Sequence, residues 1–113
     1  MVVLSDIDEA KLNQEAKHLA ANGAKTLAVK TDVGNTEDVK NLVHQTIKAF
    51  GKVDILVNNA AVAIGGNIME MPESDWDTLM NINLKSVFRT IKETLPHMIK
   101  EKSGSVINIS STQ

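Results

Sequence analysis

Side chains that can bind a ligand or carry a proton gather in this sequence directly after runs of β-branched and apolar residues. Four such clusters occur, each at the end of a run that favours a β-strand: Ser5-Asp6, Asp32-Val33, Asn58-Asn59-Ala60-Ala61 and Ser110-Ser111. In an open sheet of parallel strands the ligand crevice lies beyond the carboxyl ends of the strands. Four polar clusters at that edge are more than loop composition requires, and they predict a small-molecule binding site.

Asp6 is the most informative of these residues by position. A carboxylate at the tip of a strand can accept two hydrogen bonds from the vicinal hydroxyls of an adenosine ribose, and its charge repels a ribose phosphate. Such a residue favours NAD over NADP as the cofactor. The alternative is that Asp6 or Asp8 only caps the helix that follows. Position alone favours neither interpretation.

The second and third clusters also allow two interpretations each. Asp32 and Val33 can present a hydrogen-bonding side chain to the edge of a purine and an apolar one to its face, or they can form an ordinary turn before a helix. The third cluster joins two amides to two small residues. These four residues are Asn58, Asn59, Ala60 and Ala61. Amides can tie neighbouring strand ends together and small residues let a flat ligand approach the backbone, but the same residues also suit a simple turn.

Hydroxyl, amide and imidazole groups supply the remaining candidates. Ser110 and Ser111 stand at a strand end without a nearby His and Asp pattern that would complete a hydrolytic triad. Asn83 lies among apolar residues, where its amide needs a partner in the backbone, in solvent or in a reaction. The three His lie on separate predicted helices and Cys is absent, so no metal site is predicted.

The composition excludes several classes of protein. The 113 residues are 42% hydrophobic and 23% charged, with a formal net charge of -2, which is typical of one soluble globular domain. No apolar run approaches the roughly 18 residues of a membrane helix. The lysines are scattered among carboxylates, so neither a membrane nor a nucleic acid is a predicted partner. Because an acidic residue follows so soon after Met1, no signal peptide is predicted and we expect a cytoplasmic protein.

The elements that must position these side chains alternate along the chain. Apolar runs predict strands over residues 2–4, 26–30, 53–57 and 106–109. Helical spacing separates them, with Asn35 or Thr36 as the N-cap of the second helix and Gly51 as its end. This order, without hairpin signals, predicts an α/β fold with a parallel sheet and right-handed crossovers.

The third helix is predicted to be long. Ser74 would cap it, Pro96 would kink or end it, and an apolar stripe would be buried. The residues of that stripe are Leu79, Leu84, Val87, Phe88, Ile91 and Leu95.

The motifs together resemble, in order and spacing, those of the short-chain dehydrogenase/reductase family. They are Asp6, Asp32-Val33, Asn58-Asn59-Ala60-Ala61, Asn81-Ile82-Asn83-Leu84 and Val106-Ile107-Asn108-Ile109-Ser110-Ser111. The resemblance implies a doubly wound, Rossmann-like parallel sheet with helices on both faces. Residues 1–113 would form a partial dinucleotide-binding domain of four strands that lacks the family's first strand. That strand would lie between those starting at Val2 and Val53, which must then pair with each other or expose apolar edges.

The resemblance also implies cofactor contacts. Asp6 would hold the adenosine ribose of NAD, and Asp32 and Val33 would contact the adenine. Three further residues would flank the cofactor: Asn59, Ala60 and Ala61. Ala61 replaces the family's commoner Gly, which is an exchange of one small residue for another.

Two catalytic residues are implied in the same way. Asn83 resembles the family's catalytic Asn, which holds a water in a proton relay, and Ser111 resembles the Ser that hydrogen-bonds the substrate carbonyl or hydroxyl. In the family a Tyr transfers the proton, and a Lys lowers the pKa of that Tyr and holds the nicotinamide ribose. These 113 residues contain no Tyr, and no Gly of a Gly-rich turn occurs before Gly23. We therefore expect them to be inactive by themselves.

The implied activity is hydride transfer between NAD(H) and a secondary alcohol or ketone, and whether this chain is itself an enzyme stays open. One alternative is a non-catalytic truncated homologue that serves as a binding or dimerisation module. Another is an NADP-dependent 3-oxoacyl thioester reductase, against which the charge of Asp6 argues. In the family, the helix matching residues 74–100 and its neighbour form the subunit contact, so a homo-oligomer is expected.

Overall fold

Strands and helices alternate through residues 1–111, the part of the chain that the computed structural model describes. The strands of this part are β1 (Val2–Asp6), β2 (Thr26–Lys30), β3 (Ile55–Asn58) and β4 (Ser105–Asn108). The helices are α1 (Glu9–Ala21), α2 (Thr36–Phe50), α3 (Glu73–Met80) and α4 (Ser86–Glu101), with a π-helical turn over Asn81–Lys85. This order confirms the predicted α/β class. Within residues 1–111, no helix is long and apolar enough to cross a membrane.

Local sequence signals set both ends of α2. The Asn35 side chain accepts hydrogen bonds from two backbone N–H groups of the first turn, so Asn35 rather than Thr36 is the N-cap. Gly51 ends the helix with a φ of 79°, a left-handed conformation that glycine adopts without steric cost.

The strands form two parallel pairs rather than one continuous sheet. β1 runs beside β2 in a register that places Asp6 opposite Lys30, and β3 runs beside β4 with Asn58 opposite Asn108. β1 and β3 are not hydrogen-bonded to each other, and a cavity of about 600 Å³ lies between them. Of the two predicted outcomes for these strands, exposure of their edges is therefore the one observed.

Three strands differ in their bounds from the sequence prediction. β1 continues beyond Leu4 to Asp6, β3 covers Ile55–Asn58 rather than residues 53–57, and β4 is shifted by one residue to start at Ser105. Pairing with a neighbouring strand decides these ends, and the apolar runs do not encode that register. Asp6 is consequently the last residue of β1 and has its position fixed by the ladder.

The predicted long helix is wrong at its N-terminal cap and in its middle. Its N-cap is Pro72, which offers no side-chain hydrogen bond, and Ser74 lies inside α3. The π-helical turn then separates α3 from α4. Pro96 does not end α4, which continues to Glu101. Thr94 and Met98 are buried on either side of Pro96, so packing outweighs the one backbone hydrogen bond that proline cannot make.

The predicted buried stripe of this helix is also wrong. Leu84, Phe88 and Leu95 are 64%, 59% and 42% exposed. The face of α4 that packs inward carries other residues, mostly polar: Ser86, Arg89, Thr90, Thr94 and Met98. Helical periodicity shows which side chains share a face, but it does not show which face meets the sheet when internal hydrogen bonds satisfy the polar side chains.

The apolar core is small for a chain of this length. Its most buried member is Val39 of α2, which is fully shielded from solvent. The core residues are Leu12, Ala16, Val29, Val39, Val43 and Met98. They fill the space between the helices and the two strand pairs, while both faces of β4 stay exposed.

Candidate functional site

A cleft of about 320 Å³ opens where the carboxyl ends of β1, β2 and β3 converge. All six residues proposed from the sequence as cofactor contacts line this cleft: Asp6, Asp32, Val33, Asn59, Ala60 and Ala61. Ile82, Ser86 and Thr90 add a wall from the π-helical turn and α4. The site is thus built from segments far apart in sequence, as in other open parallel sheets.

The last residue of β1, Asp6, and the nearby Asp8 have separate tasks. Asp8, not Asp6, caps α1: its carboxylate accepts from the Lys11 backbone N–H at 3.1 Å and lies 3.2 Å from the Lys11 ammonium. These hydrogen bonds hold the pKa of Asp8 below its ordinary value. Asp6 Oδ1 accepts from the Asp8 backbone N–H at 2.8 Å. Within residues 1–111, Asp6 Oδ2 has no hydrogen-bond donor and remains able to accept from a ligand.

The loop after β2 is a compact turn held by its own side chains. Asp32 Oδ1 accepts from the Gly34 backbone N–H at 2.8 Å, and the Asp32 backbone N–H donates to Asp38 Oδ2 at 2.9 Å. The same side chain therefore forms the turn and faces the cleft, so the two interpretations offered for Asp32 are compatible.

Two side-chain hydrogen bonds link the end of β3 to β4 and to α4. Asn58 Nδ2 donates to Asn108 Oδ1 at 2.9 Å, and Thr90 Oγ1 donates to Asn58 Oδ1 at 2.6 Å. The strand-tying role offered for the amides thus belongs to Asn58, while Asn59 lines the cleft. Sequence reasoning missed Thr90, because a threonine within a helix carries no signal of a buried amide partner.

Asn83 holds a neighbouring loop by both ends of its amide. Val62 donates its backbone N–H to Asn83 Oδ1 at 2.8 Å, and Asn83 Nδ2 donates to the Val62 carbonyl at 2.9 Å. Asn83 lies within the π-helical turn, an irregularity often found at functional sites. The sequence contained no signal for that turn.

The structure does not bring the two proposed catalytic residues into the cleft. Neither Asn83 nor Ser111 lines it, although Val62, which Asn83 holds, does. Ser111 lies beyond the end of β4 and is exposed. His18, His44 and His97 lie on three different helices. In residues 1–111, no group of three or more His, Asp or Glu side chains is placed to hold a metal ion.

The sequence model of the family described as short chain dehydrogenase matches residues 1–113. The chain belongs to this family. Short-chain dehydrogenases are oxidoreductases with an NAD(P)-binding Rossmann fold, which accounts for the parallel strands and for a cleft at their carboxyl ends.

Two curated short-chain dehydrogenases show how much of a family member is present. The (2S)-[(R)-hydroxy(phenyl)methyl]succinyl-CoA dehydrogenase subunit BbsD of Thauera aromatica is 40% identical over 97% of this chain and 44% of its own length. The 3-oxoacyl-[acyl-carrier-protein] reductase FabG of Thermotoga maritima is 33% identical over 97% of this chain and 45% of its own length. The chain therefore spans less than half the length of these relatives.

Solved structures show the same fold with either cofactor. A short-chain dehydrogenase/reductase from Burkholderia phymatum in complex with NAD matches 96% of this chain and 39% of its own, at a TM-score of 0.93 and 34% identity. A metagenomic short-chain oxidoreductase in complex with NADP matches 99% of this chain and 51% of its own, at a TM-score of 0.93 and 33% identity. The doubly wound Rossmann-like fold is thereby confirmed, with the break between β1 and β3 marking it as incomplete.

Proposed function

We propose that these residues form part of an oxidoreductase that transfers hydride between NAD(H) and a secondary alcohol or ketone. One observation carries this proposal: six residues from three strand ends line a single cleft. One of the six is Asp6, whose Oδ2 has no hydrogen-bond donor within residues 1–111. That donor and acceptor set suits an adenosine ribose, with its two vicinal hydroxyls. The small side chains of Ala60 and Ala61 leave room for a flat ligand against the backbone.

Each proposed residue has a distinct task in that reaction. Asp6 would accept from the ribose hydroxyls, and Asp32 and Val33 would contact the adenine. Ser111 would donate a hydrogen bond to the substrate oxygen, and Asn83 would hold a water for proton transfer. The nicotinamide cofactor supplies the hydride chemistry, while the protein supplies binding and orientation.

A second candidate is an NADP-dependent reductase of 3-oxoacyl thioesters. The names of both relatives above concern acyl thioesters, and a solved relative carries NADP. The unpaired carboxylate oxygen of Asp6 favours NAD instead, because a 2′-phosphate would be placed against a negative charge. A non-catalytic homologue that binds or dimerises is the third possibility. A size measurement of the chain mixed with a full-length relative tests it, since a defined heterocomplex would support a binding role.

Binding of AMP tests whether the cleft is the cofactor site. Titration of the chain with AMP, followed by calorimetry, is expected to give saturable binding. Ala60→Phe fills the cleft with an aromatic ring and should weaken AMP binding at least about tenfold, or about 1.4 kcal/mol. Ala63→Phe places the same ring on an exposed residue outside the cleft lining and should leave AMP binding unchanged. Equal losses in both variants would place the ligand elsewhere.

We propose further that the outer face of α3 and α4 is the subunit contact of a homo-oligomer. Leu84 and Phe88 border a groove of about 1040 Å³. Its rim carries Asp77 on α3, Lys85 at the end of the π-helical turn and Lys92 on α4. Large exposed apolar patches with a charged rim are typical of protein contacts. Opposite charges on the two helices suit a two-fold pairing of this face with itself.

Phe88→Glu tests whether this face forms the subunit contact. A carboxylate at this 59% exposed residue would have to lose its water in the apolar contact, a cost that the neighbouring Lys92 does not fully offset, so we expect the dimer dissociation constant to rise at least about tenfold. Sedimentation equilibrium measures that constant. Ile68→Glu introduces the same charge at a 70% exposed residue outside the groove, and a comparable rise in that variant would contradict the assignment of the contact.

A further inference from the structure

Arg89 is a buried cation without a carboxylate partner in residues 1–111. It is only 8% exposed and forms no ion pair with any residue in that range. Its guanidinium instead donates to the Val33 carbonyl at 3.3 Å, to Thr36 Oγ1 at 3.2 Å, and to both the carbonyl and Oδ1 of Asn81. A buried charge of this kind is costly unless its donors are satisfied, and here four acceptors satisfy it.

Those acceptors belong to two places in the fold that have separate proposed tasks. Val33 lies in the loop after β2, at the proposed adenine contact, and Thr36 is the first residue of α2. Asn81 begins the π-helical turn that contains Asn83. Arg89 reaches both from α4, so one side chain bridges the cofactor loop and the irregular turn.

A second link runs directly between the same two places. Asn81 Nδ2 donates to the Gly34 carbonyl at 3.2 Å. The loop also lies in close contact with the turn, since a Cβ added at Gly34 would come within 2.6 Å of Ile82 Cδ1 and 2.8 Å of Asn81 Nδ2. Asn81 therefore uses its amide oxygen for Arg89 and its amide nitrogen for the loop.

We propose that Arg89 is a positioning residue that couples occupancy of the adenine loop to the order of the π-helical turn. This inference rests on the proposed function, because it takes residues 32–34 as the adenine contact. A ligand that rigidifies the loop also rigidifies the turn, since Arg89 and Asn81 tie them together. Arginine is suited to this task because its planar fork serves several acceptors at once, whereas the ammonium of lysine is a point charge.

Amide hydrogen exchange of the full 113-residue chain, with and without AMP, tests the coupling. In the wild-type chain AMP is expected to slow exchange about tenfold in residues 32–34 and also in residues 81–86. Arg89→Met, at saturating AMP, should keep the protection of the loop and lose that of the turn. Lys100→Met, which removes an exposed cation near the end of the same helix, should behave as wild type.

A second variant covers the case in which Arg89→Met does not fold. Arg89→Lys keeps a buried cation, but its ammonium is a point charge that cannot serve the acceptors of the loop and of the turn at once. We expect it to uncouple the turn from the loop as Arg89→Met does. Protection of the turn by AMP that survives in Arg89→Lys and in any folded Arg89→Met would overturn the proposal.

Exchange without ligand separates this inference from the proposed function. If AMP protects neither segment of the wild-type chain, the adenine assignment fails. The structural coupling is then decided by whether Arg89→Lys accelerates exchange in the loop and the turn together, which supports it. Acceleration in only one of the two segments, or in neither, contradicts it.

Discussion

No NADH is expected to form when the 113-residue polypeptide is incubated with NAD and a panel of secondary alcohols. The polypeptide contains no Tyr to transfer the proton, and proton transfer by a positioned side chain contributes roughly 10²–10⁴-fold to such reactions. No Gly precedes Gly23, so these residues offer no Gly-rich turn that would bind the pyrophosphate before α1. The two losses together should reduce turnover below detection.

Absorbance at the NADH band measures this result, with ketones and NADH tested in the reverse direction. A full-length short-chain dehydrogenase assayed with its own substrate in the same buffer shows that the conditions support turnover. Cofactor reduction that increases in proportion to the concentration of the purified polypeptide would refute the expectation. It would also remove the non-catalytic homologue from consideration.

Replacement of Asp6 has the second large expected effect, on the choice between NAD and NADP. The wild-type chain should bind AMP more tightly than 2′-phosphoadenosine 5′-phosphate by about 10- to 100-fold, because hydrogen bonds to a charged group contribute about 1.5–3 kcal/mol. Asp6→Ala loses those hydrogen bonds and also the charge that repels the 2′-phosphate. We expect the two affinities to become equal within about threefold, as measured by calorimetric titration.

Asp8→Ala is the matched control for this experiment. It removes a carboxylate two residues away that caps α1 and does not line the cleft. Its cost should appear as about 1 kcal/mol of stability without a change in nucleotide preference. Preference for the 2′-phosphorylated nucleotide by the wild-type chain would instead support the NADP-dependent alternative.

The edge of the fold at which the polar strand ends gather could be predicted from the sequence. An apolar run followed at once by polar residues marks both the end of a strand and its position on the sheet edge. Asp6, Asp32 and Ala60 were assigned in this way, and the structure places them around one cleft. Periodicity also located α2, because Asn35 and Gly51 mark its ends with distinct side-chain and backbone chemistry.

The details around α4 could not be predicted, for reasons specific to its residues. Its apolar residues share a face, but that face is turned outward because Thr90 and Arg89 find internal hydrogen-bond partners. Three of those partners, Val33, Thr36 and Asn58, lie 32 or more residues away in sequence, where no local pattern reveals them. The π-helical turn at Asn81–Lys85 likewise depends on contacts with a distant loop.

The separation of the strands into two pairs has a consequence for how the molecule loses its structure. A continuous sheet transmits cooperativity through its hydrogen-bond ladder, but no ladder joins β1 to β3 here. The two pairs depend on helix packing to remain together, and contacts of α4 with α2 and β3 supply part of it. Since every residue of β4 is exposed, the β3–β4 pair has less burial to protect it, and we expect it to open first. We therefore expect two foldons of unequal stability, with the proposed cofactor cleft on the boundary between them.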